Sequence, residues 1–297
     1  GVQTLVRKTR LLRLLSTRLA ELERSSPTVP GSFFKARGQV IPAVGEKRAR
    51  VALLTGCIMP LVHGPDMEAV TRVLARNGCE VVVTRDQVCC GALNTHVGDL
   101  ETAREMARRN IDTFLADDVA SVVNASAGCG TRMKEYDHLL RDDAEYKERA
   151  HQLSEMVKDI HEFLVDLPFE PPKASLNYRV TYQDSCHLLN PQGVSRQPRD
   201  ILRSIPGVAF VEMEDSSKCC GGGGSYTITE REFSLKLLDS KMTAVTDTGA
   251  DILTTANPGC VLQLQYGVQR ERVPIEVRYI TDLLDEAYGL EEAAQRH

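Results

Sequence analysis

The chain has 297 residues, 42% of them hydrophobic and 26% charged, and a net charge of −5, which gives room for one large globular domain or two of ordinary size. That balance excludes nucleic-acid binding by bulk positive charge. No apolar run approaches the roughly 18 residues of a membrane span, and residues 1–25 interleave Arg and Leu without the apolar core of a signal peptide.

Charge is unevenly placed. Residues 1–50 hold eleven Lys/Arg and three Asp/Glu, a net of +8 within a total of −5, so the remainder carries −13. Over residues 4–24 the pattern predicts a basic amphipathic helix. Leu5, Leu12 and Leu19 recur every seven residues, as do Leu15 and Leu22, with Arg and Lys between them. This helix is expected to dock on another domain or subunit, or to pack on the first half of the chain, with a membrane surface as a third option. Pro27, Pro30, Gly31, Gly38, Pro42 and Gly45 then mark a linker, so residues 1–47 are expected to lie apart from the main body. The Gly-Val start leads to the expectation of a processed form or a fragment.

From residue 48 short apolar runs alternate with helical patterns. Strands are predicted at 51–55, 80–84 and 119–124, and again at 179–183, 208–212 and 251–255. Met67, Val70 and Leu74 share one helical face, Ala103, Ala107, Ile111 and Phe114 another, and Phe233, Leu237 and Val245 a third. The predicted fold class is α/β: two tandem similar units, 48–170 and 173–290, each with a small, mostly parallel sheet. Ligands in such sheets bind beyond the carboxyl ends of the strands.

Eight of the nine cysteines lie just after these strands, in two copies of one pattern. The first is Cys57, then Cys89-Cys90-Gly91, then Cys129; the second is Cys186, then Cys219-Cys220-Gly221, then Cys260. The gaps are 31 and 38 residues in the first copy and 32 and 39 in the second. Four sulfurs close a tetrahedral metal site or hold a four-iron cluster, so the sulfurs of each set are expected to converge on a common centre. Adjacent cysteines strain a single zinc ion, whose ligands usually stand two to four residues apart, whereas several irons can take neighbouring thiolates. An iron–sulfur cluster, [4Fe–4S] in the first instance, is therefore favoured, with zinc open at one site. Gly91, Gly221 and Gly222, the last two in a run reaching Gly224, are candidate cofactor-binding positions whose backbone N–H groups can turn toward sulfur. With no signal peptide, the cysteines point to a reducing compartment rather than to disulfides.

Other residues near the motifs carry weaker signals. Cys79, outside the pattern, reads as a packed residue. His187 reads first as a loop histidine, with a ligand or hydrogen-bonding role as the alternative. Lys218 and Arg132 stand where a cation can lower thiolate pKa values, and His63 and His96 fall in loops of the first unit. No Gly-x-Gly-x-x-Gly turn follows the first strand of either unit, so neither reads as a dinucleotide or flavin site.

The repeated Cys…Cys-Cys-Gly…Cys pattern resembles the cysteine-rich CCG domains of heterodisulfide reductase and related redox subunits. In that family the motif commonly ends Cys-x-x-Cys; here Ser126 and Asn257 precede Cys129 and Cys260 by three residues, which removes a fifth thiolate from each site. The stretches Ser126-Ala127-Gly128-Cys129-Gly130, Lys134–Leu140, Asp239–Ala244 and Thr255–Cys260 further resemble the C-terminal part of glycolate oxidase (glycolate dehydrogenase) iron–sulfur subunits. The resemblance implies an electron-transfer subunit of an oxidoreductase complex, cytoplasmic or peripheral at the inner face of the membrane, that is not catalytic alone. It implies a flavoprotein partner that converts glycolate to glyoxylate, and a ferredoxin-like domain N-terminal to this chain. The alternatives are a lactate-utilisation or heterodisulfide/quinone reductase-type subunit, and a zinc-stapled docking module.

Overall fold

The computed structural model describes residues 31–296 together with Ser16, Glu23, Ser26 and Pro27. Apart from Ser16 and Glu23, the predicted helix over 4–24 lies outside the described residues.

Two small sheets form the body. The first contains β1 (Val40–Ile41), β2 (Ala49–Leu53), β3 (Cys79–Val82), β4 (Ser121–Asn124) and β5 (Val157–Asp159), in the order β1-β3-β2-β4-β5. The second contains β6 (Tyr178–Tyr182), β7 (Val208–Val211), β8 (Ile252–Thr254) and β9 (Glu276–Arg278), in the order β7-β6-β8-β9. Without β1, the only antiparallel strand among the described residues, the two orders are the same. The registers agree as well. Val51 lies opposite Val81 and Ser121, and Val180 opposite Phe210 and Ile252. The chain is thus two α/β repeats, as the matched apolar runs predict.

Three strands escape a reading by pattern. β5 (Val-Lys-Asp) and β9 (Glu-Val-Arg) are edge strands with one apolar residue each, too short to show a period of two. β1 lies within the stretch read as linker, where Val40 and Ile41 pair with Val82 and Val81.

The helices follow from ordinary signals. Gly64–Arg76 starts with Pro65 in its first turn, ends at Asn77-Gly78 and buries Met67, Val70 and Leu74. In Leu100–Leu115, Asp99 caps Thr102 N at 3.3 Å, and Ala103, Ala107, Ile111 and Phe114 are buried. The third predicted stripe is corrected. Helix Arg231–Asp247 buries Ser234, Leu238, Lys241, Met242 and Val245, while Phe233 stays exposed and meets Tyr226 edge to face at 6.4 Å. Val245 is buried as predicted, but toward the start of the helix the buried face lies one residue later than Phe233 and Leu237, because it includes a serine and a lysine.

The halves share a core. One apolar cluster contains Leu53, Met67 and Leu74 from the first and Val180, Leu253, Ile280 and Leu284 from the second. Helix Gly64–Arg76 packs on helix Ile280–Gln295, and helix Ile160–Asp166 packs on helix Arg196–Ser204. Across the first contact the Arg72 guanidinium donates to both Asp285 oxygens at 2.8 and 2.7 Å, and Asn77 Nδ2 donates to Tyr288 OH at 3.2 Å.

Asp282 sits in this seam. Desolvation, then repulsion by Asp66 across the helices, lifts its carboxyl from 3.8 to about 7. A raised carboxyl pKa means that the native state holds the proton while the unfolded chain releases it. Stability from this group is therefore full below pH 3.8 and falls as pH rises to about 7. Asp282→Asn, which keeps an oxygen for Tyr279 N, is expected to flatten that slope and to stabilise the protein above pH 7. Urea unfolding between pH 4 and 8 checks it; parallel curves for the two proteins would refute the assignment.

Candidate metal centre

The three motif loops of each half leave the carboxyl ends of neighbouring parallel strands. In the first half Cys57 follows β2, Cys89 and Cys90 follow β3, and Cys129 follows β4; in the second, Cys186, Cys219–Cys220 and Cys260 follow β6, β7 and β8. Because β2 and β6 lie between the other two strands, loops distant in sequence emerge side by side.

All nine cysteines are free thiols, and the eight motif sulfurs meet in two groups. Cys57 and Cys89 sulfurs are 3.6 Å apart. Within each group neighbouring sulfurs hydrogen-bond to one another, Cys57 with Cys89, Cys89 with Cys90 and Cys90 with Cys129 in the first. Contact with Cys57 holds Cys89 below the usual thiol range, and contact with Cys90 lowers Cys129. Cys57 and Cys90 are pushed up in return. The second group repeats this, with Cys219 and Cys260 lowered and Cys186 and Cys220 raised. Each group thus sets lowered thiols beside raised ones, and the lowered ones release a proton to a metal more readily. Cys90 and Cys220 are each 2% exposed, while Cys57 and Cys219 face solvent.

Among the described residues, no group of three or more His, Cys, Asp or Glu side chains is arranged to hold a metal ion. Fit to a thiolate-held group rests on the donor set: four soft sulfurs with N–H and O–H groups turned toward them, and no carboxylate within the set.

The glycines supply some of these donors. Gly221 has φ +83°, and a Cβ there would lie 2.3 Å from Ser234 O, so only glycine fits. The turn aims Gly221 N at Cys219 Sγ, 3.3 Å away. Gly91, with φ +81°, likewise donates to Cys89, and Gly222 N to Cys220. In the second half Ser185 Oγ and Asn257 Nδ2 also approach Cys260 Sγ, at 3.9 and 3.8 Å.

The loops are braced differently in the two halves. In the first, Asn110 accepts from Val88 N at 2.9 Å and donates to Cys89 O at 3.1 Å, while Tyr136 OH donates to Cys90 O at 3.0 Å. In the second, Arg199 forks onto buried Asp184 at 2.8 and 2.7 Å, and Ser216 Oγ donates to the same carboxylate at 2.7 Å. Lys241, also buried, donates to Asp215 O at 2.7 Å and lies close enough to help lower Cys219. Pattern reading passes over it, since a lysine on a helix normally signals a wet face.

The other candidates separate. Lys218 pairs with Asp215, and Arg132 pairs with Glu135. Buried Cys79 is pushed up to about 11 by desolvation, as a packed thiol should be. His63 is buried and bonds Asp66 at 2.8 Å. His96 and His187, from opposite halves, bring their rings to 5.8 Å. They line a cleft of about 320 Å³ between the repeats, with Gly128, Thr131, Arg132 and Cys186 on its walls. Desolvation, then His187 and Arg132, lowers the pKa of His96. Exposed Leu93, Val97, Ile228 and Phe233 stand on or at the end of the helices that follow the cysteine pairs.

The cysteine-rich domain called CCG matches this chain twice, at residues 51–134 and 180–265, once in each half. The chain belongs to the CCG family. The two CCG regions contain all eight motif cysteines. A Bacillus subtilis protein named "Probable glycolate oxidase iron-sulfur subunit" is 44% identical over 294 residues, 97% of this chain and 66% of that protein. The CCG chain thus spans 66% of that relative's length. Lactate utilization protein A of Bacillus licheniformis is 32% identical over 237 residues, 80% of this chain and 99% of that protein. A hypothetical protein of Helicobacter pylori known from a crystal structure shares the fold at a TM-score of 0.61 and 12% identity, over 86% of this chain and 52% of that one. No helix among the described residues is long and apolar enough to cross a membrane.

Proposed function

We propose that this chain is the electron-transfer part of a glycolate-oxidising complex and that its eight motif cysteines hold iron–sulfur clusters, [4Fe–4S] in type. The observation that carries the reading is the duplication of one four-sulfur arrangement, at the same strand ends of two repeats, in a chain 44% identical to a protein named as an iron–sulfur subunit. Such clusters supply one-electron oxidation and reduction. The chain's own residues hold and tune them. Cys90 and Cys220 keep the inner side of each site dry, and N–H groups of Gly91, Gly221 and Gly222 donate to sulfur, which stabilises the electron-rich state.

Substrate oxidation then falls to a flavoprotein partner, with a ferredoxin-like domain preceding this chain and the assembly on the cytoplasmic side. Exposed Cys57 and Cys219, with apolar Leu93 and Ile228 on neighbouring short helices, give that partner a surface to contact. The second reading is a lactate-utilisation subunit, favoured by the match to 99% of the length of lactate utilization protein A.

Iron, acid-labile sulfide and zinc measured on anaerobically purified protein test the proposal. The expected result is a brown protein with about four irons and four sulfides per occupied site. A colourless protein with stoichiometric zinc would overturn it. Glycolate against lactate as electron source for the assembled complex separates the two readings.

A further inference from the structure

Asn257 occupies the N-cap position of helix Pro258–Glu271, yet its side chain makes no cap bond to that helix. Asn at this position ordinarily accepts from its own second or third helical N–H. Here Oδ1 instead accepts from Gly128 N at 3.0 Å, the second residue of helix Ala127–Lys134 in the other half. That helix begins at Ser126, whose side chain leaves it uncapped. The same amide points Nδ2 at Cys260 Sγ, 3.8 Å away. One side chain therefore caps the helix that carries Cys129 and touches a sulfur of the second site. The surrounding backbone leaves room for this: Ala127 N donates to Ala256 O at 3.0 Å, and a Cβ at Gly128 or Gly259 would crowd the Asn257 amide at 3.3 Å.

We propose that Asn257 is a positioning residue that joins the two cysteine sites, so that the state of one is felt at the other through two hydrogen bonds. This rests on the reading of both sites as thiolate-held redox centres. The path runs from Cys260 Sγ through the Asn257 amide to Gly128 N and along one peptide link to Cys129. A polar bridge in the partly buried seam couples more strongly than the same bond in water. It also defines a polarity: the donor faces Cys260 and the acceptor faces the Cys129 helix, so the two bonds can be removed separately.

Asn257→Asp keeps an oxygen for Gly128 N and loses the N–H to Cys260. Asn257→Ala loses both. Two readouts on the full chain decide the matter. In hydrogen exchange, the Gly128 amide should exchange about tenfold faster in Asn257→Ala, the scale of a lost cap, and stay near wild type in Asn257→Asp. In redox titration of the anaerobically loaded protein, the midpoint potential of the Cys260 centre should fall in both variants, whereas that of the Cys129 centre should move only in Asn257→Ala. A Gly128 amide unchanged in Asn257→Ala, or potential changes confined to the Cys260 centre in both variants, would overturn the joining role. If the sites bind zinc, the redox proposal fails separately, and Gly128 exchange still decides whether Asn257 bridges the halves.

Discussion

Cys220→Ser is expected to empty the second site and leave the first loaded, so that iron and sulfide fall to about half. Cys220 is 2% exposed and hydrogen-bonds with both Cys219 and Cys260. A neutral serine hydroxyl is a poor ligand for a soft metal centre. Loss of a hydrogen-bonded group behind a ligand costs roughly 10–100-fold, and loss of the ligand itself should exceed that in glycolate-dependent dye reduction by the assembled complex. The fold should survive, because the cluster that includes Cys220 is built mostly from apolar side chains such as Leu253, Leu264 and Ile280; the buried hydroxyl costs about 1–3 kcal/mol. Cys90→Ser tests the first site in the same way. Should both variants keep wild-type iron and full dye reduction, the four-cysteine groups are not the electron path.

Arg199→Ala is expected to produce the largest loss of stability of any single change outside the apolar core. The Arg199 side chain is 13% exposed and its Asp184 partner 3%. Truncation strands a buried carboxylate that Ser216 alone would still contact, and breaking such a pair costs about 3–5 kcal/mol. The effect should also reach the metal site. Asp184 precedes Cys186 by two residues and Ser216 precedes Cys219 by three, so the pair ties two ligand loops together. Chemical unfolding should show the loss, and metal content should fall at the second site only. Pairing Arg199→Leu with Asp184→Asn removes both charges and should recover more than half of the stability. A loss under about 1 kcal/mol in Arg199→Ala would mean that the pair is no stronger than a surface contact.

The sequence by itself determined the repeat and the placement of its chemistry. Six of the nine strands among the described residues are short apolar runs ending a few residues before a cysteine, and buried parallel strands have to be apolar on both faces. The doubled Cys-Cys-Gly spacing named the eight sulfurs, since spacing is a property of the chain alone. Gly91 and Gly221 were legible because a positive φ beside a crowded backbone admits little else.

What only the tertiary structure decided lies in contacts that no single segment reports, most of them where the halves meet. No periodicity shows that Leu53 and Ile280 share one core, or that His96 and His187 face each other across a cleft. Lys241 reads as a surface residue until packing buries it beside Cys219. Asn257 reads as the cap of its own helix until the opposing helix presents Gly128 N. Each of these depends on residues some 90 or more positions apart, or on a buried polar partner. Local propensity and hydrophobic period report only what a segment buries, and not against which distant segment it does so.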